Sequence, residues 1–482
     1  MIYSTIKQRT RLRAVFALAL AAVVCAAGAY AANDNKTAPY VRIGLLYGSS
    51  AVDEVRIESE HGFFLMQENS GDLEFIRSLE AYHTLFVTRN NRRIEVRDED
   101  GVVLSDDFAT DSVLVSAAED AEDRILSIGS ADYRDGVCFA RDASGGMTVI
   151  NYVGLEHYLY GVLSREMSPS YPLEALKAQA VAARSFAIGT LGRHAGLGFD
   201  LCNKTCCQVY SGVDAEYEST TQACIETEGY VLAYDGELAV GYYHASSGGY
   251  TQNSEDVWVS AVPYLRAVKD EFAPLGPWHT QLTFEELKRR LESSSYDPGT
   301  IRSVQIEQRL ENDSVAQLRI EGSRNTIVLA KEKVRTVLGA DVIRTVRFSM
   351  GASPSPALDI EAGGAGISLH SSLGRATASG TLSVVAAAAE PVQISSHHLS
   401  IWDGKVLASA PEASGTGIRF SEESVTGGTV YFQGLGHGHG VGMPQTSARE
   451  MARSGYGYRD ILTYYYMGID IVQADRLSGD LR

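Results

Sequence analysis

Apolar and polar residues alternate along the chain with two different periods, which predicts an α+β protein. Between residues 40 and 150, short runs with a period of two are separated by Gly, Asn and Asp pairs, as in strands joined by turns. After this region the spacing becomes helical, and Leu155 and Leu159 fall on one face. We therefore expect a β-rich N-terminal region over residues 40–147, followed by a helical core.

A second helix and a hairpin follow the first helix. Pro172 suits the first turn of a helix that continues to about Ile188, because the N–H that proline lacks is unpaired there anyway, and Ser170 can cap it. Residues 229–245 are predicted to form a hairpin, since Asp235-Gly236 separates two strand-like runs. We expect the helices to pack on antiparallel β-hairpins.

The second half of the chain is less regular. Residues 352–427 are rich in Ala, Ser, Gly and Glu and show weak period-two stretches, which indicates a β-rich insertion. Residues 428–482 then complete the core that residues 148–350 begin. Short helices are predicted over 284–292, 331–338, 446–453 and 458–466.

Composition and charge exclude one class of partner. The 482 residues include 60 Asp and Glu against 42 Lys and Arg, which gives a formal net charge of −18. Hydrophobic residues make up 45% of the chain, enough for two or three globular domains. Because acidic residues outnumber basic ones in this way, the chain repels polyanions, and nucleic-acid binding is excluded.

The first 32 residues are typical of an export signal. An apolar run follows four basic residues, Lys7, Arg9, Arg11 and Arg13. The run contains the small-residue triplet Ala29-Tyr30-Ala31, as at a cleavage site. It is also about 19 residues long, enough to span a bilayer, so a cleaved signal peptide and a retained membrane anchor are both open. Either one places the rest of the chain outside the cytoplasm.

Glu166 is the first candidate for chemistry. It continues the apolar stripe of the first helix about three turns after Leu155, so a carboxyl lies where a Leu is expected. The last turn of a helix also disfavours a negative charge. Both effects favour the protonated carboxyl that a general acid needs. The alternative is a frayed helix end, at which Glu166 turns to water or pairs with Arg184.

Two cations lie on the second helix. Lys177 and Arg184 are about two turns apart on one face, and the helix around them is rich in Ala. Small side chains allow close approach of two backbones, so we expect this helix to be buried against the first. Two interpretations stay open: both cations are solvated, or one of them contacts Glu166 or a polar substrate.

A group of metal-ligand residue types follows the second helix: His194, Cys202, Cys206 and Cys207. Three thiols and one imidazole can close a tetrahedral zinc site. In an exported protein the alternative is disulfides, with Cys138 and Cys224 as further partners. Of the six cysteines, those after Cys25 are odd in number, so internal pairing leaves one unpaired. In either case the predicted role is structural.

Two further segments are candidates for ligand contact. Residues 434–442 carry His437 and His439 among alternate glycines, which let backbone N–H groups approach a ligand closely. No βαβ unit surrounds them, so a nucleotide loop is rejected and no organic cofactor is expected. The second segment follows the predicted hairpin and carries hydroxyl, acidic and aromatic residues: Ser246, Ser247, Thr251, Glu255 and Trp258. Such residues are typical of sugar contacts, and equally of a tight turn.

Taken together, these segments resemble the stage II sporulation protein D family (SpoIID/LytB). The resemblance covers about residues 148–350 and 428–472. Its ordered blocks are Arg165-Glu166-Met167 with Leu173–Arg184, Gln208–Gly212, His244–Gly249, Glu255–Trp258 and Gly438–Met443.

The resemblance implies a peptidoglycan lytic transglycosylase that cleaves between N-acetylmuramic acid and N-acetylglucosamine. Glu166 falls on the catalytic acid/base of the family, and Lys177, Arg184 and Tyr210 fall on positions that look functional there. The predicted substrate contacts in the later blocks are Ser246, Ser247, Glu255, His437 and His439. The implied setting is extracytoplasmic, on glycan strands, in sporulation and engulfment, with a cell-wall amidase as partner.

The sequence departs from the family pattern in two places, and two other functions stay open. Pro444 stands where the glycine motif usually continues with Ser, and Thr446-Ser447 replaces an aromatic-Gly pair. Because proline has no backbone N–H to donate, we expect the C-terminal part of the substrate cleft that the resemblance implies to be reshaped. Cys206 replaces the His of the family's usual loop and keeps a metal-ligand side chain. The alternatives to an enzyme are a non-catalytic amidase enhancer, as in the LytB branch, and a glycan-binding module.

Overall fold

The computed structural model describes residues 40–477 with gaps. The gaps are 70–71, 91–92, 106–107, 109–110, 119, 121–123, 144, 275, 354–366, 372–373, 379–380, 385–391, 396–398, 403–404 and 409–423. The chain divides into two compact units, Met1–Val240 with Ile471–Arg482, and Gly241–Asp470. The signal or anchor predicted for residues 1–32 lies outside the described residues.

The first unit contains a seven-stranded and a six-stranded sheet. The strands are β1 (Tyr40–Leu46), β2 (Glu54–Glu58), β3 (Phe63–Asn69), β4 (Asp72–Leu79), β5 (Thr84–Asn90), β6 (Arg93–Arg97), β7 (Val103–Ser105), β8 (Ser112–Ser116), β9 (Ile125–Ile128), β10 (Ala131–Arg134), β11 (Gly136–Arg141), β12 (Met147–Gly154) and β13 (Leu201–Cys202). The strand orders are β13-β1-β12-β11-β8-β3-β4 and β10-β9-β2-β5-β6-β7. Neighbouring strands are antiparallel except β1 and β13, which are parallel.

The strand β12 lies inside the larger sheet and is buried over almost its whole length, which explains its near-continuous apolar sequence. Its polar residue Asn151 is fully buried. The Asn151 amide nitrogen donates to the carbonyls of Arg134 and Gly136 at 2.9 and 2.8 Å. Its amide oxygen accepts from the Tyr210 hydroxyl at 2.7 Å. A buried polar side chain satisfied in this way tolerates burial and ties β12 to the chain around Tyr210.

The described part of the first unit also contains three α-helices and a small sheet. The helices are α1 (Leu155–Glu166), α2 (Leu173–Gly189) and α3 (Glu218–Glu226), and the sheet has the order β15-β14-β31, formed by β14 (Tyr230–Tyr234), β15 (Glu237–Leu238) and β31 (Asp470–Gln473). The turn between β14 and β15 has positive φ at both Asp235 (52°) and Gly236 (81°), as a two-residue hairpin turn requires. The predicted hairpin therefore forms, although its second strand ends at Leu238. Ser170 does not cap α2; its hydroxyl lies 2.9 Å from that of Ser168.

A buried carboxylate defines the start of α1. Asp135 is buried, and its Oδ2 accepts from the backbone N–H of Gly154 at 2.8 Å and contacts His157 Nδ1 at 2.9 Å. Negative charge is stabilised at a helix N-terminus. Burial opposes protonation of His157, but Asp135 raises the pKa of this imidazole overall. The first turn of α1 is therefore held to the residue that precedes β11.

A buried ion pair joins α1 to α2. Arg184 is 1% exposed, and its Nε and Nη2 donate to the two carboxylate oxygens of Glu156 at 2.7 and 2.6 Å. Arg184 Nη1 also donates to the carbonyl of Tyr230 at 2.9 Å. The Glu156 carboxylate in turn accepts from the backbone N–H of Gly229 at 3.2 Å. The pair thus connects both helices to the start of β14, and Arg184 is not a solvated cation.

The middle of α1 approaches another segment closely at Gly161. A Cβ at this position would lie 2.5 Å from Cε2 of the Tyr210 ring and 2.9 Å from the carbonyl oxygen of Gly212. The Tyr210 ring also packs on Tyr158, with 5.1 Å between ring centroids. Only glycine leaves room for the tyrosine ring against the helix backbone.

The second unit consists of smaller sheets and short helices. Its strands are β16 (Tyr243–His244), β17 (Pro277–Thr283), β18 (Ile301–Arg309), β19 (Val315–Gly322), β20 (Thr326–Ala330), β21 (Phe348–Gly351), β22 (Ile367–Ser371), β23 (Gly374–Ala378), β24 (Thr381–Val384), β25 (Val392–Ser395), β26 (Leu399–Trp402), β27 (Lys405–Ala408), β28 (Ser424–Val425), β29 (Thr429–Leu435) and β30 (Met443–Pro444). Its helices are α4 (Ser254–Val257), α5 (Phe284–Ser293), α6 (Lys333–Leu338), α7 (Gln445–Arg453) and α8 (Tyr458–Tyr465).

A hydrophobic core lies between the sheets β17-β29-β21 and β20-β19-β18-β28 and the helices α5 and α6. A capping box begins α5: the Thr283 hydroxyl accepts from the N–H of Glu286 at 3.2 Å, and the Glu286 carboxylate accepts from the N–H of Thr283 at 2.9 Å. The predicted insertion contains the strand pairs β22-β23, β24-β25 and β26-β27.

The α+β class predicted from the sequence is confirmed. The helices predicted near residues 284–292, 331–338, 446–453 and 458–466 all form within a few residues of the expected bounds. Within the described residues, the helices are too short or too polar to cross a membrane.

We expect Gly161→Ala to lower the free energy of unfolding by about 1–3 kcal/mol, because the added methyl group overlaps the Tyr210 ring. Urea denaturation followed by circular dichroism measures this change. Gly196→Ala is the matched control, since a Cβ there meets open space. Equal effects of the two substitutions would contradict the close approach.

We expect Glu156→Gln to lower the free energy of unfolding by about 3–5 kcal/mol, because it leaves the buried Arg184 guanidinium without a countercharge. The control is Glu58→Gln, which breaks an exposed pair with Arg56 in the same unit and is expected to cost less than about 1 kcal/mol. The same urea denaturation compares both variants, and a small loss for Glu156→Gln would refute the role assigned to this pair.

Candidate functional site

Glu166 is the last residue of α1 and is partly buried. The preceding residues of the helix are fixed to a neighbouring segment. Arg165 Nε donates to the Ser211 hydroxyl at 2.9 Å, and the Ser164 hydroxyl donates to the carbonyl of Ala215. The backbone that carries the Glu166 carboxyl is therefore held in a defined position.

The segment that holds α1 is residues 208–215, here called the 208–215 strap. It runs along the helix, since the Tyr158 hydroxyl donates to Gln208 Oε1 at 3.2 Å and the N–H of Ser211 donates to the carbonyl of Gly161 at 3.2 Å. Gln208 also donates from Nε2 to the carbonyl of Ala183 on α2 at 3.4 Å. The strap thus links both helices and ends beside the turn that contains Glu166.

Lys177 lies between two carboxylates. Its Nζ is 2.8 Å from Glu174 Oε1 and 2.6 Å from Glu226 Oε2, so it bridges α2 and α3. Burial alone would lower the pKa of Lys177, but the hydrogen bonds to these carboxylates raise it overall. Lys177 therefore stays charged and joins α2 to α3, and the two carboxylates balance its charge.

The structure assigns Arg184 and Tyr210 to the interior. Both are buried, and burial raises the pKa of the Tyr210 phenol well above its ordinary value. The guanidinium is occupied by Glu156, and the phenol donates to Asn151. These two residues position the helices and the strap, and their described polar contacts are to the protein itself.

His194, Cys202, Cys206 and Cys207 come together, as the zinc hypothesis requires. Their potential ligand atoms all lie within 4.8 Å of one another. The His194 Nε2 is 3.4 Å from Cys207 Sγ and 3.6 Å from Cys206 Sγ, and the Sγ atoms of Cys202 and Cys206 are 2.7 Å apart. The three cysteines of the cluster form no disulfide, and neither do Cys138 and Cys224. The cluster can hold a metal ion.

The edge of the seven-stranded sheet assembles this cluster. Cys202 belongs to β13, which pairs in parallel with β1 at Gly44. The N–H of His194 donates to the carbonyl of Asp200 at 3.1 Å. This bond holds His194 next to the residue that precedes β13. The Phe199 ring is 5.3 Å from that imidazole and fills the space that the missing side chain of Gly44 leaves. The 208–215 strap begins directly after Cys207.

In the second unit, the glycine-rich segment 436–442 interlocks with residues 242–252. Gly436, Gly438, Gly440 and Gly442 all have positive φ, between 73° and 113°. A Cβ on Gly442 would lie 1.9 Å from the carbonyl oxygen of Tyr242, and one on Gly438 would lie 2.8 Å from His244 Cβ. The alternate glycines therefore admit the protein's own chain, whereas the sequence suggested that they admit a ligand.

The interlocked segments also place Ser246 and the two histidines. Ser246 and His437 exchange two backbone hydrogen bonds at 2.9 and 2.8 Å. His439 Nδ1 accepts from the N–H of Val441 at 3.1 Å, and His244 Nδ1 lies 3.1 Å from the carbonyl of the same residue. The backbone pair therefore fixes Ser246 beside His437, and the shared contact with Val441 fixes His439 beside His244.

Ser247 contacts a buried carboxylate that the sequence analysis missed. Asp270 is fully buried and accepts hydrogen bonds from the hydroxyls of Ser247, Ser447 and Tyr465 at 2.5, 2.7 and 2.9 Å. Burial raises the pKa of Asp270, against the opposing effect of these three donors. Ser447, one of the departures from the family pattern, thus has a partner inside the unit.

Glu255 forms a bidentate ion pair with Arg266, at 2.6 and 2.5 Å. The guanidinium lowers the pKa of Glu255 to about 2, so this carboxylate is ionised at neutral pH. A glutamate in that state does not serve as a general acid. Its described role is to hold the loop that follows α4, because Arg266 also donates to the Ser254 hydroxyl at 3.1 Å.

Gln208 and Asp270 hold the segments around the candidate residues together, and the sequence analysis assigned a role to neither. Gln208 begins the block Gln208–Gly212 of the family resemblance, but its side chain is uncharged and suggested no chemistry. Asp270 lies outside the blocks, and two of its hydroxyl partners lie more than 150 residues further along the chain.

Comparisons with known proteins place these features in a family. Residues 143–234 match the family model described as Stage II sporulation protein, SpoIID. An uncharacterized protein of Brachyspira hyodysenteriae is 30% identical over 337 residues, which cover 69% of this chain and 71% of that protein. The amidase enhancer of Bacillus subtilis is 31% identical over 310 residues, which cover 64% of this chain and 39% of that protein. Stage II sporulation protein D of Bacillus amyloliquefaciens is 26% identical over 344 residues, which cover 68% of this chain and 76% of that protein.

The family match falls on the part of the first unit described above. It contains α1 with Glu166, the Lys177 and Arg184 pairs on α2, the cysteine-histidine cluster, the 208–215 strap and β14. The order of the blocks and the relatives agree, and the chain belongs to the stage II sporulation protein D (SpoIID/LytB) family.

Proposed function

We propose that this protein is an exported lytic transglycosylase that cleaves peptidoglycan glycan strands between N-acetylmuramic acid and N-acetylglucosamine. The observation that carries the proposal is the position of Glu166, a partly buried carboxyl at the end of a helix that the 208–215 strap and the Arg184–Glu156 pair hold in place. The names of the sporulation relatives support a role in cell-wall remodelling during sporulation.

A single carboxyl can perform the whole reaction. Protonated Glu166 gives its proton to the glycosidic oxygen, the C1–O bond breaks, and the N-acetylglucosamine portion leaves as an alcohol. The resulting carboxylate then removes the proton from the muramyl C6 hydroxyl, whose oxygen bonds to C1 and closes a 1,6-anhydro ring. Glu166 ends protonated, as it began. No second carboxylate nucleophile is needed, unlike in retaining hydrolysis.

The groups around Glu166 fit a positioning task. The strap holds Ser164 and Arg165, which precede Glu166 on the same helical turn. Positioned acid–base groups need such rigid support, because small displacements reduce the rate strongly. Glu255, by contrast, is held ionised by Arg266 and is not a candidate for the acid.

Digestion of purified, peptide-free glycan strands tests this function. We expect wild-type protein to release products with 1,6-anhydro-muramyl ends, and Glu166→Gln to reduce their formation by about 10²–10⁴-fold, because the amide can neither give nor take the proton. Mass spectrometry of the products is the measurement. Glu218→Gln, an exposed acid in the same unit, is the control and should act like the wild type. Hydrolysed reducing ends instead of anhydro ends would refute the mechanism.

A second candidate is non-catalytic enhancement of a cell-wall amidase. The similarity to the amidase enhancer of Bacillus subtilis favours it, although the matched residues cover only 39% of that protein. The same digestion separates the two functions. A folded protein that leaves glycan strands intact, but accelerates an added amidase, would support the second.

The cysteine-histidine cluster fits a structural zinc ion. Zinc–sulfur and zinc–nitrogen bonds of about 2.3 and 2.0 Å in a tetrahedron place sulfur and nitrogen ligands roughly 3.5 Å apart. The His194–Cys206 and His194–Cys207 separations of 3.6 and 3.4 Å agree with this geometry, whereas the 2.7 Å between Cys202 and Cys206 is shorter than a sulfur–sulfur edge. A zinc ion bound to these four side chains would cross-link them and so hold the start of the 208–215 strap.

We expect one zinc ion per purified chain, by elemental analysis. Cys202→Ser should reduce zinc content to well below one ion and lower the melting temperature, because a tetrahedral site loses one of its four ligands. Cys224→Ala is the control, since Cys224 lies outside the cluster and the variant should keep its zinc. Metal-free protein in which no more than one thiol titrates would instead establish disulfides.

A further inference from the structure

Two sulfur atoms of the cysteine-histidine cluster lie closer together than a bound zinc ion requires. The Sγ atoms of Cys202 and Cys206 are 2.7 Å apart. In a tetrahedral site two zinc-bound sulfurs are separated by roughly 3.8 Å, and in a disulfide two bonded sulfurs by about 2.0 Å. The observed separation lies between these two values. The fold therefore brings this pair of thiols within reach of a covalent bond.

One member of the pair is accessible to an oxidant. Cys206 is exposed, whereas Cys202 is fully buried on β13. In thiol–disulfide exchange an accessible thiol first forms a mixed disulfide, and a second thiol within reach then resolves it. Cys206 suits the first step and Cys202 the second, because Cys202 has to reach only its neighbour. The predicted export signal places the chain outside the cytoplasm, where disulfides form and persist.

The other cysteines are less suited to this reaction. Cys138 and Cys224 are buried, and burial raises the pKa of both thiols to about 12, so they stay protonated and unreactive. Cys207 directly follows Cys206 in the chain. The Cα atoms of adjacent residues are about 3.8 Å apart, which is less than a relaxed disulfide spans. A bond between these two neighbours would therefore be strained.

The exposed thiol of the pair is also a departure from the family pattern. Cys206 stands where the resemblance has a His. A histidine at this position is a metal ligand, but it has no sulfur that can be oxidised. The replacement therefore keeps a four-ligand site and adds a thiol that can react with a disulfide.

We propose that Cys202 and Cys206 are a redox-active thiol pair, which a small-molecule disulfide oxidises with release of the zinc ion. Cys206 Sγ attacks one sulfur of the oxidant, and the S–S bond of the oxidant breaks and releases its other half as a thiolate. Cys202 Sγ then bonds to Cys206 Sγ and displaces the second half. The two cysteines lose two electrons to the oxidant, and each leaving thiolate takes up a proton from water.

Oxidation would remove the cross-link at the start of the 208–215 strap. The zinc ion of the proposed function, on which this inference rests, joins His194 and Cys207 to the pair, whereas the disulfide joins only Cys202 and Cys206. A disulfide that closes so short a loop removes little entropy from the unfolded chain. It therefore does not replace the stability that the metal contributes. We expect the oxidised chain to be less stable than the zinc form.

Zinc release under a defined oxidant tests the pair. The full chain, purified with zinc, is incubated with oxidised glutathione, while a chromogenic chelator reports the zinc released and mass spectrometry of proteolytic peptides identifies the disulfide. We expect the zinc content to fall from about one ion per chain to below about 0.2, together with a Cys202–Cys206 disulfide and a lower melting temperature. A dithiol reductant with added zinc should restore the original content.

Cys206→His is the matched variant, since it keeps four metal-ligand side chains and removes the exposed thiol. It should bind zinc and release it at least about tenfold more slowly under the same oxidant. Cys224→Ala is the control and should release zinc as the wild type does. Equal release rates for wild type and Cys206→His would overturn the proposal. So would a wild-type disulfide that joins Cys202 to Cys207 instead.

The outcomes separate this inference from the proposed function. Zinc that stays bound to wild-type protein under the oxidant overturns the redox pair alone, whether or not the protein makes anhydro ends. Protein that never contains zinc ends the structural-zinc proposal and the release step together. Zinc release through a Cys202–Cys206 disulfide, in a protein that never cleaves glycan, would keep the redox pair and end the transglycosylase proposal.

Discussion

The buried pair between Arg184 and Glu156 is the interaction on which the first unit depends. It joins the first turn of α1 to the middle of α2, and the same guanidinium reaches the backbone at Tyr230. A charge in this position is tolerated only because bidentate geometry and backbone acceptors replace its water. The pair fixes one end of α1, and the 208–215 strap fixes the other. The helix that carries the Glu166 carboxyl is therefore held at both ends.

The sequence predicts the local features of this fold well and the long-range ones poorly. Period and turn chemistry were enough for α1, α2 and the Asp235-Gly236 hairpin, because these features depend on neighbouring residues. The role of Arg184 was not predictable, since its partner Glu156 precedes it by a whole helix and a loop. Glu166 illustrates the same limit, because helical spacing placed it on a buried stripe and the structure leaves it partly exposed.

For the candidate metal site, the sequence motif supplies the ligand residue types, and the fold brings them together. Cysteine spacing identified Cys202, Cys206 and Cys207 together with His194, but spacing alone left disulfides open. The parallel pairing of β13 with β1 brings the four side chains together at the edge of the sheet. In the second unit the reverse occurred: the alternate glycines were predicted to admit a ligand, and they admit the segment that carries His244 instead.

The contact of the Tyr210 ring with Gly161 determines which way Glu166 faces. An α-helix turns by about 100° and rises by about 1.5 Å per residue, so Glu166 lies roughly 140° around the axis and 7.5 Å along it from Gly161. In a rigid helix, a contact that fixes the rotation about the helix axis at one residue fixes it at every other residue. A change in bulk at this contact would therefore reach the Glu166 carboxyl as a rotation of α1 about its own axis.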